Sequence, residues 1–125
     1  MITIDEMQDM LAEMAEALPE AFFAQLNGGI LLLEDTVLSP EAVDEDLYTL
    51  GEYCEDELMG SYIVFYYGSF VQAIRGMPRA AIREELWETL LHEFTHHLES
   101  LAGERGLEME DMQELAAYLR SKQRS

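Results

Sequence analysis

Apolar residues recur at helical spacing near the start of the chain, where Met7, Met10, Leu11, Met14 and Leu18 fall on one stripe. Thr3 followed by Glu6 reads as a capping box ahead of that stripe, and Pro19 ends it. A short helical piece over 20–26 runs into Asn27-Gly28-Gly29, a turn signal, so residues 1–29 are expected to form an N-terminal helical region. The pattern then changes. Ile30–Leu33 is an uninterrupted apolar run and reads as a buried strand, while Leu47–Tyr53 reads as a second strand interrupted by Gly51. Tyr62–Tyr67, wholly β-branched or aromatic and closed by Gly68, is the clearest strand of the chain. Residues 34–46 and 54–60 read as acidic connections, which places three strands within 30–68. Ser69 is expected to cap a short helix reaching Ile74, before Gly76-Met77-Pro78 breaks it.

From Arg79 to Ala102 no proline or glycine intervenes, which predicts a long helix. Gly103 and Gly106 bracket a turn, and Met112, Leu115, Ala116 and Leu119 mark the stripe of a last helix, so residues 79–121 carry two helices. Helices, three short strands, then helices argue an α+β fold, with a short sheet flanked by N- and C-terminal helices.

Length fits one domain over 1–125, and a 49% hydrophobic composition can fill its core. No apolar run approaches the ~20 residues of a membrane span, and the N-terminus has no signal-peptide pattern. Cys54 is the only cysteine, which leaves no internal disulfide and no cysteine-built zinc cage. The expectation is a cytoplasmic protein. Charge sharpens the picture: the net value is −19, and residues 1–74 hold 16 acidic residues and no lysine or arginine. Such a surface repels phosphate backbones and anionic lipid, so neither nucleic acid nor membrane is expected as a partner.

Candidate chemistry lies in the long helix. Residues 92–97 read His-Glu-Phe-Thr-His-His, a match to H-E-x-x-H that holds all three histidines of the chain. At ~100° per residue His92 and His96 stand about 40° apart, one turn above each other, so both imidazoles can converge on one Zn2+. Glu93, about 100° round from His92, is poorly placed as a ligand and well placed as a general base, since zinc brings the pKa of a coordinated water to about 7. Trp87, Leu90, Leu91, Phe94, Leu98 and Leu101 form the opposite, apolar side of the helix; Glu88, His92, Thr95, His96 and Glu99 form the polar one. His97 falls toward the apolar side and reads as a hydrogen-bonded core histidine.

A third zinc ligand is needed. Glu99 lies ~10.5 Å along the helix from His92 and suits orienting an imidazole rather than binding the ion, as does Glu88 one turn before it. The last helix offers Glu108, Glu110, Asp111 and Glu114; Asp111 faces inward best among them, with Glu110 next.

The stretch from Thr89 to Gly103 resembles a family of very small bacterial zincin-like metallopeptidases, as does Tyr66-Tyr67-Gly68-Ser69-Phe70 upstream. The likeness runs from about Leu47 to Leu115, and the doubled histidine of H-E-x-x-H-H is its most specific feature. The resemblance implies a minimal zincin fold, a short mixed sheet on the active-site helix, one zinc on His92 and His96, and Glu93 as the catalytic carboxylate. Relatives have a shorter link after the motif, with a glycine and then an Asp three residues on. Here the helix is expected to reach Gly103, and position 106 is a glycine, which leaves the third ligand open. In zincins the edge strand beside the helix pairs with an extended peptide. Tyr62–Tyr67 would be that strand, with Tyr66 and Tyr67 as candidate donors to a developing oxyanion. Met109 and Met112 are candidates for a place beneath the metal.

Two functions therefore compete. One is a zinc metallopeptidase acting on peptides or unfolded proteins. The other is a metal-stabilised, non-catalytic module whose acidic surface docks a basic partner. Metal-assisted cleavage of nucleic acid is disfavoured by the charge.

Overall fold

The computed structural model describes residues 2–40 and 47–104. In order these are α1 (Ile4–Ala17), a 3-10 turn (Glu20–Phe23), β1 (Gly29–Leu33), β2 (Gly51–Asp56), β3 (Gly60–Tyr66), α2 (Tyr67–Ala73) and α3 (Arg79–Glu104). The class is α+β, with one mixed sheet in the order β1-β3-β2. β1 runs parallel to β3, pairing Ile30 with Ile63 and Leu32 with Phe65; β2 runs antiparallel to β3, pairing Tyr53 with Ile63.

The expected capping box forms: the Thr3 hydroxyl accepts from the Glu6 N–H, and the Glu6 carboxylate accepts from the Thr3 N–H. Behind it Met7, Met10, Leu11 and Met14 are buried against a core that includes Leu86, Leu90, Phe94 and Leu98 of α3 and Ile63 and Phe65 of β3. Arg79 reaches Glu6 at 2.7 Å, so the start of α3 is also tied to the first turn of α1 at the surface.

Four expectations are corrected. The second strand is not Leu47–Tyr53 but Gly51–Asp56, so half of the acidic stretch 54–60 is strand rather than loop. The turn that follows is built by Asp56, whose carboxylate accepts from the N–H groups of Leu58 and Met59, and by Gly60 at φ +75°, a conformation that favours glycine. Second, Tyr62–Tyr67 is not the edge. The continuous apolar run is the central strand, paired on both sides, with Ile63 and Phe65 fully buried. The edge beside α3 is β2, whose exposed Glu52, Glu55 and Asp56 are the charges that exposed edges tolerate.

Third, Ser69 does not cap α2. The helix starts two residues earlier, at Tyr67, and the buried Ser69 hydroxyl accepts from the Val37 N–H and donates to its carbonyl. That strap over α2 explains Gly68, where a Cβ would collide with Thr36 and the backbone of Asp35. Fourth, α3 passes through Gly103 to Glu104 rather than turning there. The expected last helix, with Met109 and Met112, lies outside the described residues. Among the described residues no helix is long and apolar enough to cross a membrane.

Candidate metal centre and its cleft

α3 carries the motif past the sheet with Phe94 buried beneath it, its ring 5.1 Å from Phe23 and 6.2 Å from Phe22. That seat fixes which way each neighbour points. His92 and His96 are exposed on the side facing β2, their Nε2 atoms 3.1 Å apart and their rings at 89°. Two nitrogens sharing a tetrahedral zinc at 2.0–2.1 Å stand about 3.3–3.4 Å apart. The pair therefore fits a common ion within a few tenths of an ångström, with both nitrogens converging. Among the described residues no third His, Cys, Asp or Glu joins them to make a metal-holding group. Asp111 and Glu110 lie outside the described residues.

Glu93 sits between the histidines in sequence but is only 6% exposed. Burial pushes its carboxyl above the ordinary carboxylate range; the His96 ring and the backbone N–H of Tyr53, which donates to it, pull the other way, and Glu52 adds to the rise. The result is a carboxylate moved toward the range useful for general base work, held by a neighbouring strand. Thr95, expected on the polar face, is instead buried, its hydroxyl donating to the Leu91 carbonyl one turn back.

These residues line an open cleft of about 510 Å3 whose walls are Gly51, Glu52, Tyr53 and Glu55 of β2 and His92, Glu93, His96 and Ser100 of α3. At one end Ser100 Oγ donates to Glu55 Oε1 at 2.8 Å, closing helix against strand. Gly51 lets the other end close: a Cβ there would stand 3.0 Å from the Val64 carbonyl oxygen and 3.3 Å from the Thr89 methyl. Sequence reasoning missed the whole β2 wall, and the interrupting Gly51 was the signal that a close approach occurs there.

His97 is fully buried, as its position on the wheel implies, with Nδ1 2.9 Å from the Tyr53 hydroxyl and Nε2 2.8 Å from the Ala24 carbonyl. The tyrosines expected at the site divide. Tyr66 donates to Glu52 at 3.4 Å, so it touches the cleft through that residue, and its phenol is pushed up to about 12, chiefly by burial and then by the Glu52 charge. Tyr67 donates to the Ile2 carbonyl at 2.7 Å and is not brought to the cleft. Glu88 is half-buried and Glu99 exposed, and neither lines the cleft.

An imidazole pair one turn apart, beside a buried carboxylate and an edge strand, is the arrangement that a family comparison can identify. A family model described as zincin-like metallopeptidase matches residues 42–118. The chain belongs to that family. The zincin-like match takes in β2, β3 and α3 together with Asp111 and Glu110. Among solved structures the chain is similar to a conserved hypothetical protein from Thermo thermophilus, at 31% identity and a TM-score of 0.68, over 82% of this chain and 99% of that one. A comparison with curated proteins gives no match. Membership of a zincin-like family carries a metallopeptidase-related function and, in general, zinc binding.

Proposed function

We propose that this chain is a zinc-dependent metallopeptidase that hydrolyses peptide bonds in cytoplasmic peptides or unfolded proteins. Its one zinc would be held by His92, His96 and a third ligand, Asp111 or, next, Glu110. The observation that carries the reading is the convergence of two exposed imidazole nitrogens, 3.1 Å apart, in a cleft that also holds the buried Glu93.

Zinc, when bound, supplies Lewis acidity that polarises a carbonyl and acidifies water. Glu93 takes a proton from the attacking water and, as the carboxylic acid, passes it to the departing amide nitrogen. The Tyr53 N–H orients that carboxylate while burial keeps its basicity high. An extended peptide can enter the cleft along the outer edge of β2, with its scissile carbonyl over Glu93 between the cleft walls. Tyr66, whose hydroxyl is tied to Glu52 on the cleft wall, is the candidate donor to the developing oxyanion.

The test is metal analysis and cleavage of labelled casein by the full chain. About one zinc per chain, lost in His96→Ala, and a fall of roughly 10²–10⁴-fold in turnover for Glu93→Gln with zinc retained are expected. Stoichiometric zinc with no cleavage of casein or a broad peptide library would leave the metal-stabilised binding module as the function.

A further inference from the structure

The second histidine of the doublet, His97, has no place in the proposed reaction, yet it is held on both sides. Its ring is fully buried and both nitrogens are engaged. A carbonyl oxygen only accepts, so Nε2 must carry the proton it gives to Ala24. In the neutral ring Nδ1 is then bare and accepts the proton of the Tyr53 hydroxyl. The ring also lies 5.3 Å from that of Tyr53, centroid to centroid. Tyr53 is on β2, and the same residue lines the cleft with His92, Glu93 and His96. One turn of helix thus sends His96 into the cleft and His97, ~100° round, into the core behind it.

We propose that His97 is a positioning residue: by accepting the Tyr53 hydroxyl it locks the edge strand β2 against α3 and so holds the Tyr53 backbone N–H on the Glu93 carboxylate. The anchoring at Ala24 gives the lock a fixed base, because it ties the same ring to the segment after the 3-10 turn. Among the described residues β2 has hydrogen-bonded strand on one side only, so nothing in that part of the sheet fixes the distance from its outer edge to α3. The Ser100–Glu55 bond acts at the exposed end of the cleft, whereas the Tyr53–His97 bond acts behind Glu93. The functional meaning of the lock rests on the peptidase reading; its existence does not.

Amide hydrogen exchange in the zinc-free full chain tests it. Tyr53→Phe removes only the hydroxyl, and Glu93→Ala removes the acceptor outright and sets the full scale. We expect the Tyr53 amide to exchange about tenfold faster in Tyr53→Phe, toward the Glu93→Ala value, while the β2–β3 ladder amides keep their protection. His97→Gln, which retains one donor and one acceptor, should keep much of the protection that His97→Leu loses. An unchanged Tyr53 amide in Tyr53→Phe, or equal acceleration throughout β2 and β3, would overturn the proposal in favour of general packing. In zinc-loaded protein, Tyr53→Phe should lower kcat on labelled casein with KM nearly unchanged. If the parent chain cleaves nothing, the peptidase reading fails while the exchange result still decides the lock.

Discussion

Gly51→Ala tests how closely β2 must approach α3. The added methyl would stand 3.0 Å from the Val64 carbonyl oxygen, 3.3 Å from Thr89 Cγ2 and 3.5 Å from Phe65 Cδ1. None of the three yields easily. The carbonyl belongs to the central strand, the Thr89 rotamer is held by its hydroxyl donating to the Glu85 carbonyl at 2.9 Å, and Phe65 is fully buried. Overpacking of this kind costs about 1–3 kcal/mol, offset by about 0.4–1 kcal/mol because alanine restricts the unfolded chain. Mid-range values, about 2 less about 0.7, leave a net loss of about 1.3 kcal/mol, or roughly 5 °C in Tm for a domain of this size. Urea and thermal unfolding of the zinc-free chain measure it. Thr89→Ser removes the opposing methyl and keeps the hydroxyl, so the glycine substitution should cost less in that background, a coupling that a double-mutant cycle reads directly. Strict additivity, or no loss of stability in Gly51→Ala, would refute the close approach.

Other outcomes follow from single contacts. Tyr67→Phe loses the part-buried hydrogen bond to the Ile2 carbonyl and should cost about 1 kcal/mol in urea unfolding, yet leave casein cleavage at the parent rate, because Tyr67 is not brought to the cleft. Glu6 has its carboxyl lowered below the ordinary 4.5, first by Arg79 and then by the Thr3 N–H. A depressed carboxyl contributes stability above its unfolded value and loses it as pH falls through the folded one. Glu6→Gln should therefore melt below the parent at neutral pH, and the gap should close as pH drops below 4.5; a gap that widens in acid would contradict the assignment. Phe94→Ala empties the seat under the motif and should cost about 3–5 kcal/mol, measured by the same unfolding assay.

The parts legible in the sequence are those decided locally. The capping box, the stripe of α1 and the long α3 are set by spacings of three and four residues. The same spacing places His92 and His96 on one face and turns His97 inward. The cleft wall was not legible, because it depends on which strand lies at the edge. That choice is made by pairing over distance, as in the Tyr53–His97 bond across 44 residues. Strand strength along Tyr62–Tyr67 pointed to the wrong edge, since a continuous apolar run is what a doubly paired strand requires. The acids of β2 carried the opposite information but read as loop, since charge depresses strand propensity in the same window in which it marks an edge. Ser69 misled for a similar reason: a hydroxyl that could cap its own helix instead binds a segment 32 residues away.

The span of the His97 bonds also bears on when the site comes into being. β2 and β3 close over a short turn, so one wall can form from nearby residues, whereas the Ala24–His97 bond joins groups 73 residues apart. Loop closure makes such distant contacts slow to form. The hairpin should thus be present in the folding transition state with high φ-values, and His97 with low ones, so that the cleft between β2 and α3 closes only late in folding. A high φ-value at His97 would reverse that order.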